Sequence, residues 1–332
     1  MKTARAIAHS NIALVKYWGK RTDVDPALNL PAVGSLSMTL DALWTQTEVR
    51  PADADHFELD GVVLTASGAG TKVVAHLDRV WRLAGRTGPR PRCSVTSTNH
   101  LPTAAGLASS ASGFAALTVA AAAALELQAD ATVLSAWSRM GSGSAARSIW
   151  GGFVRLNRGQ APDGSDCLAR PIRSAASWPL RLVVVQTTRG AKSIGSTEGM
   201  QRCRETSPYY GSWVETSEAD LDGAQDALER RDLEALGAIV EHSAMKMHAC
   251  MLATRPPIVY WKPATLAVLA DVAAARAEGL PGYATMDAGP HVKVLCAPEH
   301  ADALADRFRA LPGVEQVTVS GVGPDAHVEV DG

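Results

Sequence analysis

The chain has 332 residues, of which 32 are basic and 34 acidic, giving a formal net charge of −2. That balance excludes a global field able to gather nucleic acid or an anionic membrane, so any anion has to be bound locally. The length favours two domains over one. The five scattered cysteines, Cys93, Cys167, Cys203, Cys250 and Cys296, form no C-x-x-C pair of the kind that builds zinc or redox sites, and fit a reducing cytoplasm.

The first residues, MKTARAIAHSNIALVKYWGK, hold no continuous apolar core and do not read as a signal peptide. Within them Lys16 and Lys20 flank Tyr17 and Trp18. On a helix the two lysines would share a face; in extended chain they could be aimed at a ligand while the aromatics pack. Taken alone, they read as a solvated pair. Alternation and β-branched residues predict strands over 44–51, 56–61 and 92–99. Apolar periodicity predicts helices over 70–83, 114–127 and 131–139. The segment 114–127 is mostly alanine and too short to span a bilayer comfortably.

Just before that segment lies PTAAGLASSASG, 102–113. Small residues let the backbone approach an anion, and the free N–H groups and dipole of a following helix attract it. Serine hydroxyls add donors, and one can ligate Mg²⁺. The segment lacks the GK[ST] ending of a Walker A loop. A flexible loop before a packed helix accounts for the composition equally well. A second stretch, GSGSAARS over 141–148, again places glycine and serine at a predicted helix start. With Ser144 near the N-cap, Ser142, Ser144 and Arg147 would converge on one helix end, where a guanidinium grips a carboxylate or phosphate with two hydrogen bonds. The bland reading is an arginine paired with a surface carboxylate.

Beyond the turn APDGSDC, the run LRLVVVQTT predicts a buried strand, followed by helices over 209–230 and 233–251. Helix 263–278, strand 291–297, helix 299–310 and strand 314–320 complete the order. This predicts an α+β fold, an antiparallel sheet with helices on one side, and a domain boundary near 180 that divides the chain into 1–180 and 181–332. Asp287, between an apolar segment and a Gly-Pro turn, reads either as a turn former or as a buried base.

Five stretches, HSNIALVKYWGKR, PTAAGLASSASG, GSGSAARS, STEGMQ and MDAGP, together resemble the diphosphomevalonate decarboxylases of the GHMP small-molecule kinase superfamily in order and spacing. The resemblance implies an N-terminal domain like ribosomal protein S5 domain 2, carrying an ATP phosphate loop. It implies a ferredoxin-like C-terminal domain carrying the catalytic aspartate, with the active site in the cleft between them. The implied reaction is phosphorylation of the 3-hydroxyl of mevalonate 5-diphosphate by ATP, followed by loss of that phosphate and CO₂ to give isopentenyl diphosphate. ATP and Mg²⁺ are the implied cofactors, the metal held largely through ATP without a dedicated protein cage. The implied protein is a cytoplasmic homodimer acting on a small molecule, with no nucleic-acid or membrane partner.

Position by position, the resemblance makes Asp287 the aspartate facing the 3-hydroxyl, Arg147 the arginine that holds the substrate carboxylate, and Ser196 a serine bordering phosphoryl transfer. Ser142, Ser144, Tyr17, Lys20 and Lys72 fall on substrate contacts. Gly106, Leu107, Ala108, Ser109, Ser110 and Ser112 fall on the nucleotide loop. The chain departs from the pattern at Ala32, Val33 and Gly34, where a polar run is usual, at Thr197, where arginine is common, and at Ala284 and His291. The first four losses cluster on the diphosphate side. They keep open decarboxylation of mevalonate 5-phosphate, beside a 3-kinase that releases no CO₂. His76, His242 and His248 read as satisfied or surface histidines rather than metal ligands.

Overall fold

Strand β1 (Ala4–Val15) is buried along almost its whole length and pairs antiparallel with β2 (Ser35–Pro51). Sequence alternation revealed only the last part of β2, because residues 35–40 are buried on both faces and carry no polar alternation. The computed structural model describes residues 1–100, 109–188, 190 and 194–329. In chain order β3 (His56–Leu59), β4 (Val62–Val63) and α1 (Gly68–Leu83) lead to β5 (Cys93–His100). Helices α2 (Ser109–Ala124) and α3 (Ala131–Gly141) follow, then a 3₁₀ turn over Gly143–Ile149 and strands β6 (Phe153–Leu156) and β7 (Ala169–Arg173). The second half runs β8 (Arg181–Gln186), α4 (Ser196–Thr206), α5 (Tyr210–Arg230), α6 (Leu233–Leu252), α7 (Pro263–Ala277) and β9 (Tyr283–Met286). It closes with β10 (Val292–Cys296), α8 (Ala301–Arg309), β11 (Gln316–Ser320) and β12 (His327–Glu329).

Among the described residues the strands form an eight-stranded sheet, ordered β12-β1-β2-β5-β3-β4 with β6 and β7 branching from β2, and a four-stranded sheet ordered β11-β8-β10-β9. Among the described residues only β3 and β5 pair in parallel. The last strand returns to the first sheet, setting Arg5 opposite Glu329. No helix among the described residues is long and apolar enough to cross a membrane.

Beyond its serine-rich first turn, helix α2 is almost wholly apolar and mostly buried. Ala111, Ala115, Ala116, Ala120 and Ala121 are fully buried, and their small side chains let the helix lie close against β1 and β2. It begins at Ser109 rather than at 114, since Ser112 is drawn inward: Ser10 Oγ donates to it at 3.1 Å and Thr45 Oγ1 lies 2.7 Å away. The chain leaves the helix at Ala124, and Glu126 takes a left-handed φ of 56°. The second sheet is covered on both faces, not on one. Val183, Val185, Val292 and Val294 pack with Val268, Val272, Leu304 and Phe308 of α7 and α8. Leu182, Val184 and Leu295 pack the other way, with Leu14, Leu36 and Met38 of the first sheet and Leu221, Leu228 and Leu236 of α5 and α6. One apolar cluster therefore joins the two sheets and fixes the ends of β1 and β9 relative to each other.

Candidate active site

Where β1 ends, the backbone N–H of Lys16 donates to Ser243 Oγ on α6 at 3.0 Å, which turns the lysine side chain inward. Its ammonium donates to the Ala13 carbonyl at 2.7 Å and to Asp287 Oδ1 at 2.9 Å, and only 1% of the side chain is exposed. The solvated-lysine reading of Lys16 is thus wrong. Lys293, on β10, donates to Asp287 Oδ2 at 2.9 Å and is 4% exposed. Asp287 sits just after β9 and keeps 36% of its side-chain surface open. Burial pushes its carboxyl up, but the ammonium groups of Lys16 and Lys293 outweigh this and hold it well below the usual carboxylate range. Burial lowers Lys16 to about 8, with Asp287 opposing the shift. His248 on α6 donates from Nε2 to the Asp287 carbonyl oxygen at 3.2 Å, and its ring lies 5.1 Å from that of Trp261, tilted by 35°. Burial, then the charge of Lys16, lowers its pKa to about 3, so it is neutral at pH 7.

The stretch after α3 does not form the expected α-helix. It closes into a 3₁₀ turn, with Ser142 rather than Ser144 at the N-cap. Arg147 is therefore carried inside, 1% exposed, where Nη1 donates to Ser35 Oγ at 2.6 Å and the guanidinium lies 5.9 Å from the Tyr17 ring centroid. Its Nε is buried without a partner, and among the described residues no carboxylate is paired with it. Burial lowers its pKa to about 10, so the group stays charged at neutral pH. A buried guanidinium with an unanswered N–H is a receptor for an anion, and the surface-pair reading does not hold. Tyr17 packs beside it with its hydroxyl also buried and unpaired. The fit requires Gly143, because a Cβ there would lie 2.1 Å from the Tyr17 hydroxyl.

Three serine hydroxyls form a file along the rim: Ser110 Oγ lies 3.3 Å from Ser142 Oγ, which lies 3.2 Å from Ser144 Oγ. Ser110 is exposed in the first turn of α2, and a Cβ at Gly113 would meet open space. Ser112, expected with them in a nucleotide loop, is a correction: it is fully buried and committed to Ser10 and Thr45. Ser109 opens α2, while Gly106, Leu107 and Ala108 lie outside the described residues. Lys20 is half-buried in a bridge with Pro31; burial, then the charge of Lys72 on α1, lowers its pKa. Those two lysines thus lie within electrostatic reach of each other. Ser196 starts α4. That end of the helix is seated by Gly199, whose Cβ position is 3.0 Å from the Trp18 ring, and by Tyr260, whose hydroxyl donates to the Ile194 carbonyl at 2.9 Å.

Four of the departures, Val33, Gly34, Ala284 and His291, have structural reasons. Val33 is fully buried with Trp18 and Trp213, and the Gly34 N–H donates to Glu218 Oε1 at 2.7 Å where a Cβ would strike Leu221 at 2.4 Å. His291 Nδ1 accepts from the Thr187 N–H at 3.2 Å, and Ala284 is buried with its N–H on Glu241. Nothing in the structure explains Thr197, which is exposed. Lys293 and His248 were missed as members of the site. Lys293 did leave a signal, a lone charge inside the apolar strand VKVLC.

The chain is similar to known proteins along its length. Residues 8–169 match the diphosphomevalonate decarboxylase-like N-terminal domain, and residues 182–322 match the mevalonate 5-diphosphate decarboxylase C-terminal domain. Over 324 residues the chain is 35% identical to diphosphomevalonate decarboxylase of Ganoderma lucidum, covering 91% of this chain and 80% of that one. The crystal structure of mevalonate diphosphate decarboxylase from Staphylococcus aureus superposes with a TM-score of 0.90 at 34% identity, covering 99% of this chain and 98% of that one. A structure described as "MDDEF in complex with MVAPP, AMPPCP and Magnesium" gives 0.88 at 38% identity, covering 99% of both chains. Both halves match in their proper order along a two-domain α+β fold, and the likeness runs nearly end to end; the chain belongs to the diphosphomevalonate decarboxylase family.

Proposed function

We propose that the protein transfers the γ-phosphoryl group of ATP to the 3-hydroxyl of mevalonate 5-diphosphate and then decarboxylates the product to isopentenyl diphosphate, CO₂, ADP and phosphate. The observation that carries this reading is the ionised Asp287, held between Lys16 and Lys293, beside a buried Arg147 with an unanswered N–H. Support comes also from relatives named for the diphosphate substrate, and from the relative described in complex with MVAPP, AMPPCP and magnesium.

Asp287 accepts a hydrogen bond from the 3-hydroxyl and aligns its oxygen for in-line attack, taking the proton as the new O–P bond forms. A carboxylate held so low is a weak base towards a free alcohol, so orientation comes first and proton transfer late. Arg147 receives the substrate carboxylate through the N–H that has no protein partner. When the C3–O bond breaks and phosphate leaves, the electron pair of the carboxylate C–C bond forms the new double bond and CO₂ departs. Arg147 then serves by orientation, since a tight ion pair would favour the carboxylate over neutral CO₂. Ser142 and Ser144 contact the substrate, and Tyr17, Lys20 and Lys72 lie toward its diphosphate.

Bound MgATP supplies the phosphoryl group and neutralises charge on it. Ser110, with Gly106, Leu107, Ala108 and Ser109 before it in the chain, would hold the phosphates, and Ser196 would border the transfer. The described residues include no cluster of three His, Cys, Asp or Glu side chains. A magnesium ion held mainly through nucleotide phosphates needs few protein ligands. A cytoplasmic homodimer with units 1–180 and 181–332 completes the proposal. The test is a paired assay with MgATP and either mevalonate 5-diphosphate or 5-phosphate, following ADP and CO₂ together. Equal ADP and CO₂ with the diphosphate preferred is expected. ADP without CO₂, or preference for the monophosphate, would overturn the reading.

A further inference from the structure

Lys293 stands where the fold has no use for a charge. Its strand neighbours Val292 and Val294 face the core under α7 and α8, and Lys293 faces the opposite side with Leu295. Its cross-strand partners are Val184 and Thr285. Burying an ammonium there is costly unless the charge is answered. Its one carboxylate partner among the described residues, Asp287, is already answered by Lys16, and Arg147 stands within electrostatic reach of the same group. Three buried cations thus face one carboxylate, so neutralising Asp287 does not explain the third.

We propose that Lys293 is a positioning residue, which holds Asp287 Oδ2 while Lys16 holds Oδ1 and so fixes the plane of the carboxylate where the reacting hydroxyl arrives. The two contacts, each 2.9 Å, come from different parts of the chain: Lys16 follows β1, and Lys293 lies on the strand next to β9. A carboxylate held at one oxygen can swing about the remaining bond. Held at both, it cannot turn without losing a charge-assisted hydrogen bond. The charged and titratable groups facing the pair are Lys16, Lys293, Arg147 of the 3₁₀ turn and His248 of α6. The charge of Lys293 also helps keep the pKa of Lys16 low. Removing it therefore has a second, separate consequence: Lys16 holds its proton to higher pH.

The role in catalysis rests on the proposed decarboxylase reading; the clamp itself does not, and the experiment separates them. The full-length protein is labelled with ¹³C at lysine Cε and titrated without substrate, the Lys16 signal being assigned by its loss in Lys16→Arg. In Lys293→Met the Lys16 midpoint is expected to rise by about one pH unit. With MgATP and mevalonate 5-diphosphate, kcat is expected to fall by about tenfold or more while KM stays within about threefold. Lys293→Arg retains the charge, so Lys16 keeps its wild-type midpoint and kcat recovers in part. A Lys16 midpoint unmoved in Lys293→Met, or a kcat within about twofold of wild type, would overturn the proposal. If Lys293→Met does not fold, Lys293→Arg decides: its altered reach should lower kcat several-fold with the Lys16 midpoint held, and an unchanged kcat would refute the clamp. A wild-type protein that releases no CO₂ would refute the decarboxylase reading, and the titration alone would then decide the clamp.

Discussion

Arg147 shows how much one side chain's surroundings determine. Its guanidinium is buried, bonded to Ser35 through Nη1, and its Nε has no hydrogen-bond partner among the described residues, so its charge is held ready for an anion. Arg147→Gln keeps a polar group of similar reach and removes the charge. We expect kcat/KM for mevalonate 5-diphosphate to fall by about 100-fold, with the affinity for a non-hydrolysable ATP analogue unchanged. Steady-state kinetics and an analogue titration check both parts, and an intact kcat/KM would remove Arg147 from the site. Asp287 and Arg147 were picked out by the resemblance of their motifs, since their residues alone left Asp287 a turn former or a buried base and Arg147 a surface pair. Lys16 and Lys293 were not legible as a pair, because the partner that gives them meaning lies 271 residues from the first and six from the second, across a strand pairing that no local pattern reports.

At the scale of elements, the 3₁₀ turn Gly143–Ile149 does the positioning. A regular α-helix from Ser144 would present Arg147 one turn from a solvated end. The tighter turn carries it inside, against Tyr17 and Ser35. Gly143→Ala is the test of that packing. A methyl group placed 2.1 Å from the Tyr17 hydroxyl must displace the ring that packs beside Arg147. We expect kcat/KM to fall at least about tenfold and stability to fall by about 1–3 kcal/mol. Kinetics and urea unfolding measure the two, and wild-type values in both would show that the turn is not tightly packed there. Elements with one solvent face were legible by their alternation, and the buried strands β8 and β10 by their continuous apolar runs. Residues 35–40 of β2 and the whole of β1 were not predicted as strands; over 35–40 and 8–15 burial on both faces erases the alternation that marks one. The start of α2 was missed for a related reason: its serines look like loop residues until Ser112 finds partners on the sheet.

For the whole molecule, the α+β class followed from the order of elements, but the sheet orders and the shared apolar cluster did not, since they depend on pairings between distant segments. The shared interior also sets how stability responds to acid. His76 and His248 are buried on opposite halves of the chain, and burial lowers both to about 3. Unfolded, each would titrate near ~6.5. Between these values the unfolded chain binds more protons than the folded one, so the stability they contribute is full above ~6.5 and is lost as pH falls toward 3. The expected slope is about 1.4 kcal/mol per pH unit for each histidine, read by urea unfolding at successive pH values. Stability that stays level through this range would mean that neither histidine is held neutral. The proposed chemistry turns on Asp287 as the group that prepares the 3-hydroxyl for phosphoryl transfer. The most direct measurement is a single turnover of Asp287→Asn with MgATP and mevalonate 5-diphosphate, following ADP. The variant is expected to fold, to bind ATP, and to form ADP at least about 100-fold more slowly than wild type. ADP formation at a near-normal rate would contradict that role.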